Sequence, residues 1–148
     1  MVVTAMEYSK QGLALTERFE GCRLEAYQDS GGIWTIGFGH TKGVSEGMIT
    51  TVEEATAWLE EDIAWAASEV NRIVSVTLTQ GEFDALVDFT FNCGRAALDH
   101  STLLELVNQG NMEAAAEQFE RWDKVGGKEV AGLLRRRQAE RAEFESEG

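Results

Sequence analysis

Apolar and polar positions follow three successive rhythms along the chain. Ser9 is placed to cap a first helix that runs toward Phe19 and Glu20, with Gly21 as its left-handed stop. From Leu24 to Thr41 the helical spacing disappears. Tyr27, Ile33, Trp34, Thr35, Ile36 and Phe38 are interrupted by Gly31, Gly32, Gly37 and Gly39, a texture that predicts a short hairpin with Asp29-Ser30-Gly31-Gly32 as its turn. Gly43 and Gly47 predict a further turn and a third edge strand. Beyond residue 50 the three- and four-residue spacing of helices returns and persists.

The first of these later helices opens at Thr51-Val52-Glu53-Glu54, where Thr51 and Glu54 have capping-box spacing, and is expected to reach about Val74. Ala55, Trp58, Leu59, Asp62, Trp65, Ala66, Glu69, Val70 and Ile73 recur along it, mixing an apolar stripe with an acidic face. Its length suits a strut between two lobes. A second capping box, Thr79-Gln80-Gly81-Glu82, is flanked by the staple pair Leu78 and Phe83. The run Phe83, Leu86, Val87, Phe89, Thr90, Phe91 leaves little polar face, so this helix belongs in a core, and Gly94 closes it. Ser101 and Asn111 cap two short helices, the second containing Ala115, Phe119 and Trp122, and a last helix is expected from about Lys128 to Phe144. The sum is an α+β arrangement: a small sheet-bearing lobe at about residues 20–50, then a mainly helical lobe over about 51–148 that also takes helix 9–20, with a cleft between them. At 148 residues the whole is expected to be one domain.

Charge narrows the function. The net charge is −13, and residues 51–100 carry ten acidic side chains against two basic ones. Such a field opposes nucleic acid and anionic membrane surfaces. Arg135-Arg136-Arg137 breaks the pattern, either as a solvated helix end or as a group beside an acidic site. Cys22 and Cys93 are too few for a disulfide scaffold and have no metal spacing, so both are expected to be buried apolar fillers, with a single bridge left open. The segment Met1 to Glu7 has neither the basic region nor the apolar stretch of a signal peptide, and no membrane insertion is expected.

Cleaving a glycosidic bond needs a carboxylic acid at the leaving oxygen and a carboxylate working on the opposite face of the sugar. Glu20 at a helix end and Asp29 in a hairpin turn can serve, because the chain doubles back between them, although a Glu and an Asp nine apart also arise by chance. The surrounding string is far more specific. Glu20-Gly21, Tyr27-Gln28-Asp29 and Thr35-Ile36-Gly37-Phe38-Gly39-His40 stand in order, and further along come Leu78-Thr79-Gln80-Gly81, Phe83-Asp84-Ala85-Leu86, Phe91-Asn92-Cys93-Gly94, Ser101-Thr102-Leu103-Leu104, Trp122, Gly132-Leu133, Arg136-Arg137 and Glu140. Over nearly its full length the chain resembles the phage lysozymes, or endolysins, of glycoside hydrolase family 24.

The resemblance implies a lysozyme-like fold and a bacteriolytic hydrolase that cuts the β-1,4 bond between N-acetylmuramic acid and N-acetylglucosamine in peptidoglycan. Carried over by residue, it makes Glu20 the general acid, Asp29 its catalytic partner and Thr35 the hydroxyl that positions water. Arg136 then corresponds to the arginine that pairs with the catalytic Glu, with Arg137 as the alternative register. His40 is expected to be a hydrogen-bonded structural histidine. Trp34 and Phe38, with Trp122, stack on sugar rings or fill the core. No cofactor or metal is implied, and a monomer is expected. The enzyme would wait in the host cytoplasm and reach the periplasm and wall through a holin-type permeabilising partner. Inversion is the expected stereochemistry. A lytic transglycosylase, which would not need Asp29, and a catalytically silent wall-binding or virion protein are the rival readings.

Overall fold

The computed structural model describes residues 5–146, so Met1 to Thr4, part of the segment read as lacking a signal peptide, lie outside the described residues. No helix among the described residues is long and apolar enough to cross a membrane. Seven helices and two small antiparallel sheets make up the described fold, which is α+β as expected. It packs as two compact units, one built from Thr16–Ala64 and the other from Trp65 onward together with the residues up to Leu15; the division falls within two helices, α1 (Lys10–Glu20) and α2 (Val52–Ile73).

In the unit Thr16–Ala64, strands β1 (Arg23–Gln28) and β2 (Trp34–Gly37) pair antiparallel with Tyr27 opposite Thr35 and Gln28 opposite Trp34; the register slips between Arg23 and Tyr27. The third edge strand shrinks to a single bridge, Glu25 to Ile49, flanked by Ala26 N to Met48 O and Thr50 N to Leu24 O, each 2.9 Å. Ile36, Phe38, Ala55, Leu59 and Ile63 are the buried core of this unit. The capping box at Thr51 is half made. Glu54 N donates to Thr51 Oγ1, but the Glu54 carboxylate is taken by the Thr50 hydroxyl at 2.7 Å.

The other unit is built around α3 (Gln80–Cys93), against which α7 (Ala131–Glu145) packs. The Thr79 capping box is complete: Thr79 Oγ1 accepts from Glu82 N, and the Glu82 carboxylate accepts from Thr79 N. Between them come α4 (Arg95–Asp99), α5 (Thr102–Asn108) and α6 (Met112–Gln118), with Ser101 and Asn111 capping the last two through their side chains. Helix α4, only five residues long, has no cap or periodicity of its own in the sequence. Trp122 lies beyond a 3-10 turn, Phe119–Arg121, rather than in the helix. The Phe89 ring meets Phe119 and Trp122 edge-on, at 5.8 and 5.3 Å between centroids.

The final helix begins three residues later than expected because a hairpin intervenes. Strands β3 (Lys124–Val125) and β4 (Lys128–Glu129) are joined by Gly126 and Gly127, both at positive φ (58° and 83°), the two-residue turn that matches strand twist. Val130 N then bonds Asp123 O, fixing the entry to α7.

Buried charge marks the contact of α3 with α7. Arg136 Nε and Nη2 each donate to Asp88 at 2.9 Å. Arg137, fully buried, reaches Glu140 through Nη2 at 2.9 Å, Asn92 Oδ1 at 2.7 Å and the Cys93 sulfur. The arginine triplet therefore divides: Arg135 is exposed, whereas Arg136 and Arg137 are interior and set against carboxylates. The cysteines correct the expectation too. Both are free thiols, Cys22 exposed and Cys93 half-buried, so Cys22 fills no core.

Complete burial, reinforced by the neighbouring Asp88 carboxylate, drives the Glu140 carboxyl well above its ordinary range, while Arg137 and Arg136 pull it back. A carboxyl raised in the fold contributes stability below its unfolded pKa, about 4.3, and loses it as pH rises through the folded value. Urea midpoints of Glu140→Gln and the parent should therefore move in favour of the variant as pH increases from about 4; a constant difference would contradict the assignment. Separately, Thr79→Ala removes a full capping box and is expected to cost about 1 kcal/mol in thermal or urea unfolding.

Candidate active site

Every residue named for catalysis falls in the unit Thr16–Ala64. Glu20 is the last residue of α1, where Gly21 N bonds Glu17 O at 3.0 Å and Gly21 turns the chain at φ 69°. The end of that helix is fastened to α2 by the Thr56 hydroxyl, which donates to Glu17 Oε1 at 3.2 Å. Glu20 is half-buried, and its carboxylate reaches the loop after β2: a Cβ built on Gly39 would lie 3.1 Å from Glu20 Oε1.

Asp29 begins the turn between β1 and β2 and holds that turn with its own side chain. Its Oδ1 accepts from Gly31 N at 2.8 Å and Ile33 N at 2.9 Å, while its backbone exchanges bonds with Ile33 O and Gly32 N, each 2.9 Å. Asp in such a turn satisfies amides that strand pairing cannot reach. One carboxylate oxygen is thus committed to the loop. Oδ2 is outside these bonds, and the residue is exposed.

Thr35 lies on β2, only 4% exposed, and its Oγ1 donates to Ile33 O at 3.0 Å. With its proton given away, that hydroxyl has lone pairs to offer, and it is an acceptor for whatever approaches.

His40 has a structural role. Its backbone and that of Ile36 exchange two 2.9 Å bonds, its ring stacks on Trp58 at 4.7 Å and 11°, and Asp62 Oδ2 accepts from Nδ1 at 2.7 Å. Asp62 and Trp58 were visible in the sequence only as members of the α2 stripe. An acid at an apolar spacing was the available sign that the stripe has a polar partner. Glu69, also in the stripe, is buried where Asp62 is only half-buried, and it is held by Arg72, with Arg95 at 3.4 Å.

Trp34 is half-buried beside Gln28 and Phe38 is interior. Trp122 belongs to the other unit, against Phe89, and Arg136 is there as well, bonded to Asp88.

The α+β fold carries a helix-terminal Glu, a turn-borne Asp and a strand Thr on one unit, the residue types that a glycosidase of the lysozyme class would use. Comparison with known proteins agrees. The phage lysozyme family pattern matches residues 17–140. An endolysin of Acyrthosiphon pisum secondary endosymbiont phage 1 is 45% identical, the alignment covering 95% of this chain and 99% of that protein. A crystal structure of a P22 lysozyme variant is 41% identical with a TM-score of 0.89, covering 95% and 99%. The muramidase domain of SpmX from Asticaccaulis excentricus is 39% identical with a TM-score of 0.88, covering 95% and 98%. The chain belongs to the phage lysozyme family. It is a glycoside hydrolase, a muramidase by class.

Replacing the buried His40 by Ala removes the Asp62 bond and the Trp58 stack together and leaves a cavity. The expected loss is about 2–3 kcal/mol of unfolding free energy, measurable by urea titration.

Proposed function

We infer that this lysozyme lyses bacterial peptidoglycan by hydrolysing the β-1,4 bond between N-acetylmuramic acid and N-acetylglucosamine, the whole chain acting as one catalytic domain. Glu20 is the general acid at the leaving oxygen, Asp29 the base that activates water, and Thr35 the hydroxyl that holds that water. The observation that carries this reading is the contrast between the two carboxyl groups: Glu20 is half-buried with its carboxylate against the loop after β2, whereas Asp29 is exposed with one oxygen tied into its turn. A pair so divided suits one group to protonate and the other to accept a proton.

Water is served by two acceptors. Thr35 Oγ1, its own hydrogen bonded to Ile33 O, takes one hydrogen of the water, and Asp29 Oδ2 takes the other. The oxygen lone pair is then turned toward the anomeric carbon. As the C–O bond breaks, Glu20 gives its proton to the departing sugar oxygen, water adds to the opposite face, and Asp29 receives the proton that water loses; the product is inverted. Access to the wall is assigned to a separate membrane-permeabilising protein of the holin type.

Glu20→Gln should lower lysis of permeabilised Gram-negative cells by at least about a thousandfold while leaving the fold intact. Products carrying reducing ends support hydrolysis; anhydro ends would establish a transglycosylase instead. A glycosyl adduct trapped on Asp29 and seen by mass spectrometry would sink inversion.

A further inference from the structure

Strand β1 does not follow β2 along its whole length. Arg23 is opposite Gly37 and Tyr27 is opposite Thr35, so a four-residue step on β1 matches a two-residue step on β2. Between those points β1 turns to the segment 48–50: Glu25 bridges Ile49, Ala26 N bonds Met48 O, and Leu24 O accepts from Thr50 N. Irregularities of this kind re-aim side chains. Here Arg23 and Tyr27 are drawn together, and the Arg23 guanidinium lies 4.3 Å from the centre of the Tyr27 ring.

Residues directly opposite in an antiparallel pair share a face of the sheet, so Tyr27 stands beside Thr35. Asp29 follows two residues later, at the start of the turn. The cation therefore sits over a ring that adjoins the hydroxyl assigned to water. Tyr27 is half-buried and Arg23 is exposed. Other guanidinium groups of the chain are set on carboxylates: Arg136 on Asp88, Arg137 on Glu140 and Arg72 on Glu69. Arg23 is held by a ring instead, and among the described residues no carboxylate is paired with it. A ring restrains a guanidinium without neutralising its charge or occupying its N–H groups, and those donors form the fork that a carboxylate matches. The unit Thr16–Ala64 has ten acidic side chains and three basic ones, so an anionic glycan is repelled from it unless a cation stands where the anion arrives.

We propose that Arg23, held over Tyr27, is a specificity-determining residue that binds the carboxylate carried by the side group of muramic acid, next to Thr35. The proposal rests on the reading of this unit as the site of peptidoglycan hydrolysis. It adds recognition of a charged substituent to the chemistry assigned to Glu20, Asp29 and Thr35.

Two sources supply such a carboxylate: the stem peptide, or the lactyl group where the peptide is absent. Soluble glycan-strand fragments with and without peptide would be assayed, each also after conversion of its carboxylates to neutral methylamides. Arg18→Gln is the control for lost charge, since Arg18 is in the same unit but belongs to α1, with its guanidinium over Phe19. Arg23→Gln is expected to raise KM about tenfold on carboxylate-bearing fragments with kcat within about twofold, and to match the parent on the methylamides. Tyr27→Leu, which removes the platform and leaves the cation, should raise KM on the same fragments only, and it serves if Arg23→Gln folds poorly. A response confined to peptide-bearing fragments names the stem peptide as the source; a response confined to peptide-free fragments names the lactyl group. Equal KM changes on charged and neutral fragments, or the same selectivity in Arg18→Gln, would overturn the role of Arg23 and leave the hydrolase reading standing. Failure of the parent to release reducing ends from any fragment would overturn that reading as well.

Discussion

The backbone exchange between Ile36 and His40, locked by the bond from His40 to Asp62, is the constraint on which the candidate site depends. A five-residue loop has little reason to keep one shape in water, since each ordered residue costs about 1–2 kcal/mol of backbone entropy. Here the cost is met by burial. Ile36 is enclosed, the imidazole stacks on Trp58, and Gly37 lies against Ala55. The loop is held against the helix it leans on, and the Glu20 carboxylate lies beside it at Gly39. Preorganisation of this sort would serve the acid role proposed for Glu20 without spending substrate binding energy on it.

Asp29 is positioned by a different device. Its Oδ1 ties the turn between β1 and β2 through two amides, so the residue is a structural clasp that leaves Oδ2 outside the turn for the role proposed for it. An exposed turn would otherwise be mobile. The same economy appears at Thr35, where a bond to Ile33 O fixes the rotamer and decides that the hydroxyl accepts.

The second unit shows how an acidic chain is held together. Asp84 and Asp88 are buried on α3, and each is compensated, Asp84 by Ser9 and Gln80 and Asp88 by Arg136. Breaking such a pair leaves a charge in a poor solvent, so the arrangement specifies partners more than it adds stability. The charge surplus of residues 51–100 is thus partly interior, and net charge overstates what the surface presents.

Local signals in the sequence were sufficient for the elements they govern. The capping box at Thr79, the caps at Ser101 and Asn111, the stop at Gly21 and the Asp29 turn each depend on atoms within a few residues, and they form as their spacing implies. Family and chemistry were legible in the string from Glu20 to His40, because the groups it carries lie close together along the chain. What only the tertiary structure decided is partnership over distance. Arg136 meets Asp88 across 48 residues, His40 meets Asp62 across 22, and the carboxylate of Glu20 comes to rest on a glycine 19 positions away. The exposure of Cys22 and the hairpin at Gly126-Gly127 belong with these. Periodicity records that a face is apolar, not what will cover it, and burial, unlike a cap, depends on every element that packs nearby.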